Sequence, residues 1–307
     1  MTRHHSDPTA PRLREIAEDV FAYEQPDGGW CLNNAGLVVS DGQAALIDTA
    51  ATRARALALK EAVARVSPRS PRFVVNTHSH GDHTFGNHLF ADDAVIVAHE
   101  DARTEMDATG LHLTALWPDV RWGDLTVALP DLTFRDRLTL HVGRVRAELV
   151  HLGPAHTAGD TVVWLPDRRV LYAGDLVMSG ATPFCLTGSV AGTIEVMERL
   201  RAFGADTVVP GHGPVGGPEL LDVTEGYLRR VQELAAEGID AGITPLEAAR
   251  DADLGEYAGL LDSERIVPNL HRAYAEARGA TPGEPMDVAV LFSEMVTHHG
   301  GLPTCRA

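Results

Sequence analysis

A chain of 307 residues, 44% hydrophobic and 22% charged, has the make-up of a globular protein and room for one large domain with an appendage. Its formal net charge of −17 disfavours phosphate backbones and anionic membrane surfaces, so neither nucleic acid nor membrane is expected as a partner. No apolar run approaches the ~20 residues that cross a bilayer, and the start lacks the apolar core of a secretory signal, so a cytoplasmic protein is expected.

Residues 1–12 are polar and proline-containing and read as a disordered tail that includes His4 and His5. Strand-like segments follow at Val20–Glu24, Gly36–Ser40 and Ala44–Asp48, with Asp41 and Gly42 supplying a hairpin turn. Asp48 ends its strand, and a turn or supporting role suits it better than direct ligation. Thr52–Val66 spaces Leu57, Ala58, Val63 and Val66 as an amphipathic helix, stopped by Ser67 and Pro68. Arg72–Asn76 is a short apolar strand that ends where a polar cluster begins.

That cluster, NTHSHGDHTFGN over Asn76–Asn87, places His78, His80, Asp82 and His83 within six positions. Neutral imidazole and carboxylate are ordinary ligands of Zn²⁺ at about 2.0–2.2 Å, and a polar surface turn gives no reason for such crowding. An extended backbone past Thr77 sets His78 and His80 on one side, to grip one ion. The small Gly81 then lets the chain turn, so that Asp82 and His83 face a second. Further along, three strand-like runs each end in Gly or Pro beside a ligand-type residue. Arg146–Leu152 precedes His156, Arg169–Ala173 precedes Asp175, and Asp206–Pro210 precedes His212. Strand-end loops on a rigid sheet are where sites are commonly built.

Strands and helices alternate up to Pro214, in two comparable halves. After Pro218 the pattern becomes helical: Leu220–Glu237, Pro245–Ala252, Asp262–Arg278 and Pro285–Thr297. Residues 13–218 are expected to form the main domain and 219–307 a helical extension packed on it, since no Gly/Ser-rich spacer lies between. Cys31, Cys185 and Cys305 are scattered, with no CxxC pair to suggest a zinc ribbon or redox couple. Cys185 is expected to be a small buried hydrophobe.

The pattern HxHxDH, followed by separate His, Asp and His, resembles the ligand signature of the metallo-β-lactamase superfamily, with all seven positions filled. The resemblance implies an αβ/βα four-layer sandwich. It also implies one ion held by His78, His80 and His156, a second by Asp82, His83 and His212, and Asp175 bridging the two. Two Zn²⁺ are the implied cofactors, with Fe or Mn fitting similar N/O sites. Several penicillin-destroying members carry cysteine or serine where this chain has Asp175, a pattern closer to thioesterase and glyoxalase II relatives.

A narrower resemblance covers EQPDGGWCLNNAGLVV, GLHLTALWPDVRWGDL, RDRLTLHVG, AGDLVMSGATPFCLTGSVAGT, the run Thr244–Tyr274 and the tail GGLPTC. These are similar to the second-ring cyclases of bacterial type II aromatic polyketide pathways. That likeness implies a poly-β-keto substrate on an acyl carrier protein, closed by intramolecular aldol condensation and dehydration and released by thioester hydrolysis at the same site. Asp82 and Asp175 are the implied catalytic carboxylates. A flat polyketide needs apolar walls, for which Trp30, Trp117, Trp122, Met178 and Phe184 are candidates, and Gly180–Gly192 a mobile edge. His88 is a candidate support for a ligand imidazole. Competing readings are a hydrolase of small thioesters or lactones, a di-iron redox relative and a non-catalytic metal protein.

Overall fold

The computed structural model of the protein describes residues 10–307. His4, His5 and most of the expected tail lie outside the described residues. Arg12 already belongs to a strand, so the tail reading ran too far.

Seven strands form the first sheet, in chain order: β1 (Arg12–Ala17), β2 (Val20–Glu24), β3 (Ala35–Ser40), β4 (Gln43–Ile47), β5 (Phe73–Val75), β6 (Val95–His99) and β7 (Leu132–Phe134). The first four pair antiparallel, with two-residue turns between β1 and β2 and between β3 and β4 and a longer loop between β2 and β3. From β4 onward the pairing is parallel, because helices intervene: α1 (Arg53–Val66) before β5, α2 (Gly81–Thr84) before β6, then α3 (Glu100–Thr109) and α4 (Leu113–Leu116) before β7. The second sheet runs β12 (Thr207–His212), β11 (Val170–Met178), β10 (Thr161–Leu165), β9 (Val145–His151) and β8 (Arg137–Val142), parallel only between β11 and β12 across helix α5 (Val190–Arg201).

The sheets face each other over a dry layer that includes Val38, Val75 and Val97 from one and Leu149, Val163 and Val209 from the other. Tyr172 reaches across this layer to donate its hydroxyl to Phe21 O at 2.8 Å. The outer face of the first sheet is covered by Leu59 and Val63 of α1, and that of the second by Val196, Met197 and Leu200 of α5. This is the helix–sheet–sheet–helix sandwich that the alternating pattern predicts.

The helices after β12 are α6 (Glu219–Ala241), α7 (Pro245–Arg250), α8 (Ile266–Ala277) and α9 (Val288–His299). They build a further apolar cluster around Tyr227, Leu228, Val231 and Leu270, into which Cys185, Val190 and Ile194 project. No helix among the described residues is long and apolar enough to cross a membrane.

One local reading changes. Asp175 does not follow its strand but lies within β11, which runs on to Met178 with an irregular register after Gly174. The turn expected at Gly81 takes the form of the opening of helix α2. Glycine is required there because a Cβ would fall 2.3 Å from the Phe85 ring.

Candidate metal centre

The seven ligand candidates converge at one edge of the sandwich. His78, His80, His156 and Asp175 form one group and Asp82, His83 and His212 another, with the ligand atoms of each group within 4.8 Å of one another. Six are buried and His80 is half-buried. His78, His80, Asp82 and His83 come from the loop and α2 after β5. His156 comes from the loop between β9 and β10, Asp175 from within β11, and His212 from the end of β12. A Cβ on Gly211 would meet Asp175 Oδ1 at 1.8 Å, so a glycine on β12 is what makes room for the shared carboxylate.

Asp175 lies between the groups. Its Oδ2 stands 3.8 Å from His78 Nε2, 3.5 Å from His156 Nε2 and 3.4 Å from His212 Nε2, and its Oδ1 stands 3.1 Å from His83 Nε2. Asp82 Oδ2 faces His212 Nε2 at 3.3 Å and His83 Nε2 at 3.9 Å, and His156 Nε2 faces His80 Nδ1 at 2.9 Å. Donor atoms on one tetrahedral ion held at about 2.0–2.1 Å stand roughly 3.3 Å apart, so these separations suit shared cations.

The outer nitrogens explain how the rings are aimed. His83 Nδ1–H donates to Asp48 Oδ2 at 2.8 Å. Asp48 also accepts from the Thr77 backbone N–H and hydroxyl, both at 2.7 Å, which leaves the hydroxyl oxygen to accept from His78 Nδ1–H at 3.0 Å. His156 Nδ1–H donates to Phe184 O and His212 Nδ1–H to Gly28 O at 3.2 Å. With the outward proton fixed, each inner nitrogen is the one left to give its lone pair to a cation, once His83 and His212 shed their second proton. His78 Nε2, His83 Nε2 and Asp175 Oδ1 are buried without any hydrogen-bond partner, a costly state unless a cation satisfies them. The donor set therefore fits a pair of divalent ions.

Asp48 holds a left-handed backbone (φ 60°), and its carboxylate meets His83 directly and His78 only through the Thr77 hydroxyl. Its expected supporting role is the one it plays, whereas His88 bonds only Phe85 O in its own turn. Thr77 and the carbonyls of Gly28 and Phe184 were not singled out from the sequence. Asp160 closes the turn carrying His156 by accepting from Thr157 N–H and Oγ–H. Burial pushes its carboxyl up to about 8 although those donors oppose the shift.

The electrostatics of the two groups differ. Burial lowers the imidazoles of His78, His80 and His156, the last to about 3. Burial also acts against the cations of His83 and His212, but Asp175 with Asp82, and Asp48 for His83, outweigh it. His83 rises well above the usual range and His212 to about 9. Asp82 falls to about 2 despite its burial, because His83 and His212 face it.

Among the aromatic candidates, Phe184 borders the centre and Trp30 stands beside it. The Phe184 ring lies 6.3 Å from His156 and 5.4 Å from Trp30. Trp117 lies behind them, 5.3 Å from Trp30, with its Nε1–H donated to Pro303 O at 2.7 Å. Trp122 packs on Phe85 beneath the ligand loop, and Met178 lies against Arg265, so both are enclosed. Cys185 is buried, its backbone N–H given to Asn269 Oδ1. A surface cleft of about 530 Å³, lined by Thr52, Arg55, Arg121 and Cys305, contains none of the seven ligand candidates.

Comparison with known proteins adds the ancestry. The profile of the metallo-beta-lactamase superfamily matches residues 28–212. A linear primary-alkylsulfatase of Pseudomonas sp. is 24% identical over 73% of this chain and 52% of its own, so the chain spans about half that relative. The human acyl-coenzyme A thioesterase MBLAC2 is 28% identical over 53% of this chain and 63% of its own. A metallo-beta-lactamase structure from Pontibacter korlensis superposes with a TM-score of 0.59 at 23% identity, covering 72% of this chain and 99% of that one, a likeness of fold alone.

Proposed function

Because the chain belongs to the metallo-β-lactamase superfamily, we propose that it is a dinuclear metal enzyme that closes the second ring of a carrier-bound poly-β-keto thioester. The observation that carries the reading is the convergence of five histidines and two aspartates, with a carboxylate between the two groups, beside an aromatic wall of Trp30 and Phe184. The extended likeness to polyketide cyclases supports the substrate class, and the thioesterase relative supports a thioester.

His78, His80 and His156 would hold one ion, Asp82, His83 and His212 the other, and Asp175 both. Such a pair supplies Lewis-acid polarisation of a carbonyl oxygen and a water of lowered pKa. Asp82, with 11% of its side chain exposed against 5% for Asp175, is the more open of the two candidate carboxylates. It takes the proton from the carbon between two carbonyls. That carbon bonds to the ketone carbon, the ketone oxygen gains a proton to become hydroxyl, and water is then lost to leave the ring unsaturated. Trp30 and Phe184 hold the flat chain and keep bulk water off the enol. Hydrolysis of the thioester would add one water, giving a free acid and the carrier thiol.

A second reading, a thioester or lactone hydrolase resembling glyoxalase II, uses the same ligands and is favoured by the thioesterase relative. Mass spectrometry separates the two. The purified protein should convert a one-ring carrier-bound polyketide to a dehydrated two-ring product. Hydrolysis of simple thioesters or lactones without any cyclised product would assign the second reading instead.

A further inference from the structure

Helix α8 and the turn before it bury three strongly polar side chains, Arg265, Asn269 and Arg272, at 1%, 0% and 1% exposure. Spaced four and then three residues apart, they share one helix face. Apolar side chains would pack there at lower desolvation cost, since burying a guanidinium costs several kcal/mol unless its donors are matched. Each has a donor matched by one short stretch of chain, although Nε of Arg265 and of Arg272 stays buried without a partner. Arg265 Nη1 donates to Thr182 O at 2.9 Å, Asn269 Nδ2 to Pro183 O at 2.7 Å and Arg272 Nη2 to Leu186 O at 2.6 Å. Asn269 Oδ1 also accepts from Cys185 N–H at 2.9 Å. Within that stretch Phe184 O turns the other way and accepts from His156 Nδ1–H. The loop is thus a strap, gripped by the helix on one side and holding a ligand imidazole on the other.

We propose that Asn269 and Arg272, with Arg265, are positioning residues for His156, and that through them the C-terminal helices set the affinity of the ion held by His78, His80 and His156. These residues lie outside the segment matched by the superfamily profile, residues 28–212. The same turn also grips the other side of the centre. Trp30 Nε1–H donates to Glu264 Oε1 at 2.6 Å and the Arg265 guanidinium lies 4.0 Å over the Trp30 ring, two residues from the Gly28 carbonyl that holds His212.

The proposal rests on His156 being a metal ligand, and the test keeps the two apart. Zinc(II) is titrated into the metal-free full chain against a chromophoric chelator, giving two binding steps. His156→Ala identifies the step that belongs to its group. Asn269→Ala should weaken that step by about 10- to 100-fold and leave the other within about threefold, the range seen when a ligand loses its support. Arg272→Lys, which keeps the charge and one donor, should give a smaller loss of the same step and serves if Asn269→Ala does not fold. Leu270→Ala, on the same helix but in the apolar cluster, should lower the melting temperature without changing either step. Normal zinc binding by folded Asn269→Ala and Arg272→Lys would overturn this proposal alone. Equal weakening by Leu270→Ala would also overturn it, by reducing the effect to general destabilisation. An unaltered chain that binds no zinc would overturn the metal-centre reading and this inference together.

Discussion

The two halves of the centre are built from the same kind of ligand but supported by different chemistry. In the half formed by His78, His80 and His156, the outer nitrogens of His78 and His156 rest on a hydroxyl and a backbone carbonyl. All three imidazoles stay neutral through burial. In the other half, Asp82 is itself a ligand candidate and Asp48 backs His83. Asp175 is common to both. Beside the shared Asp175, one half is thus a neutral nitrogen cage and the other carries a carboxylate of its own, and this second half should hold a cation more tightly while depending more on its supports. A cation among His78, His80 and His156 would be offset by less ligand charge and would polarise a carbonyl more strongly, whereas one held by Asp82, His83 and His212 would be the better anchored.

Removing the ions tests the pair as a whole. Exhaustive chelation should abolish turnover and, for sites occupied at about a thousand times their dissociation constant, remove about 4 kcal/mol of stability per ion, visible as a fall in melting temperature. An unchanged rate after chelation would show that the ions are not the catalyst. Asp175→Asn strikes the element common to both halves. It should cost roughly 10³-fold in kcat, the equivalent of several kcal/mol of charge stabilisation, with circular dichroism unchanged. Two ions retained at full rate would refute the shared carboxylate. Asp48→Asn sharpens the contrast, and should weaken the His83 ion by about 10- to 100-fold while the neutral cage loses little. Equal loss at both ions would erase the distinction. Thr77→Val has the smallest expected effect. Its hydroxyl links Asp48 to His78, so both zinc steps should weaken by roughly fivefold, in line with one net hydrogen bond.

The candidate ligands were legible in the chain because imidazoles and carboxylates at strand ends mark themselves by residue type, and the structure brings them together. The sandwich was legible because apolar strands alternate with helices. The supports were hidden for a physical reason. Gly28 and Phe184 act through backbone carbonyls, which every residue has, so only the fold shows which carbonyl meets an imidazole. Asp175 was placed after its strand because Gly174 reads as an end, whereas the parallel partner β12 carries the ladder on past it. Strand β1 escaped notice since RLREIA is a charged edge with a weak alternation. Arg265, Asn269 and Arg272 did leave a signal, three polar residues on the otherwise apolar buried face of α8 and the turn before it, that a reading for helix alone passes over. Trp122 and Met178 show the converse: an aromatic or thioether near a ligand in sequence can face the core, and burial decides which.

Anomalous diffraction at the zinc edge, on crystals of the zinc-loaded protein, decides whether the seven side chains hold a pair of ions. Two peaks per chain are expected, one among His78, His80 and His156 and one among Asp82, His83 and His212, both in contact with Asp175. A single peak, or zinc bound only elsewhere on the chain, would contradict the paired centre.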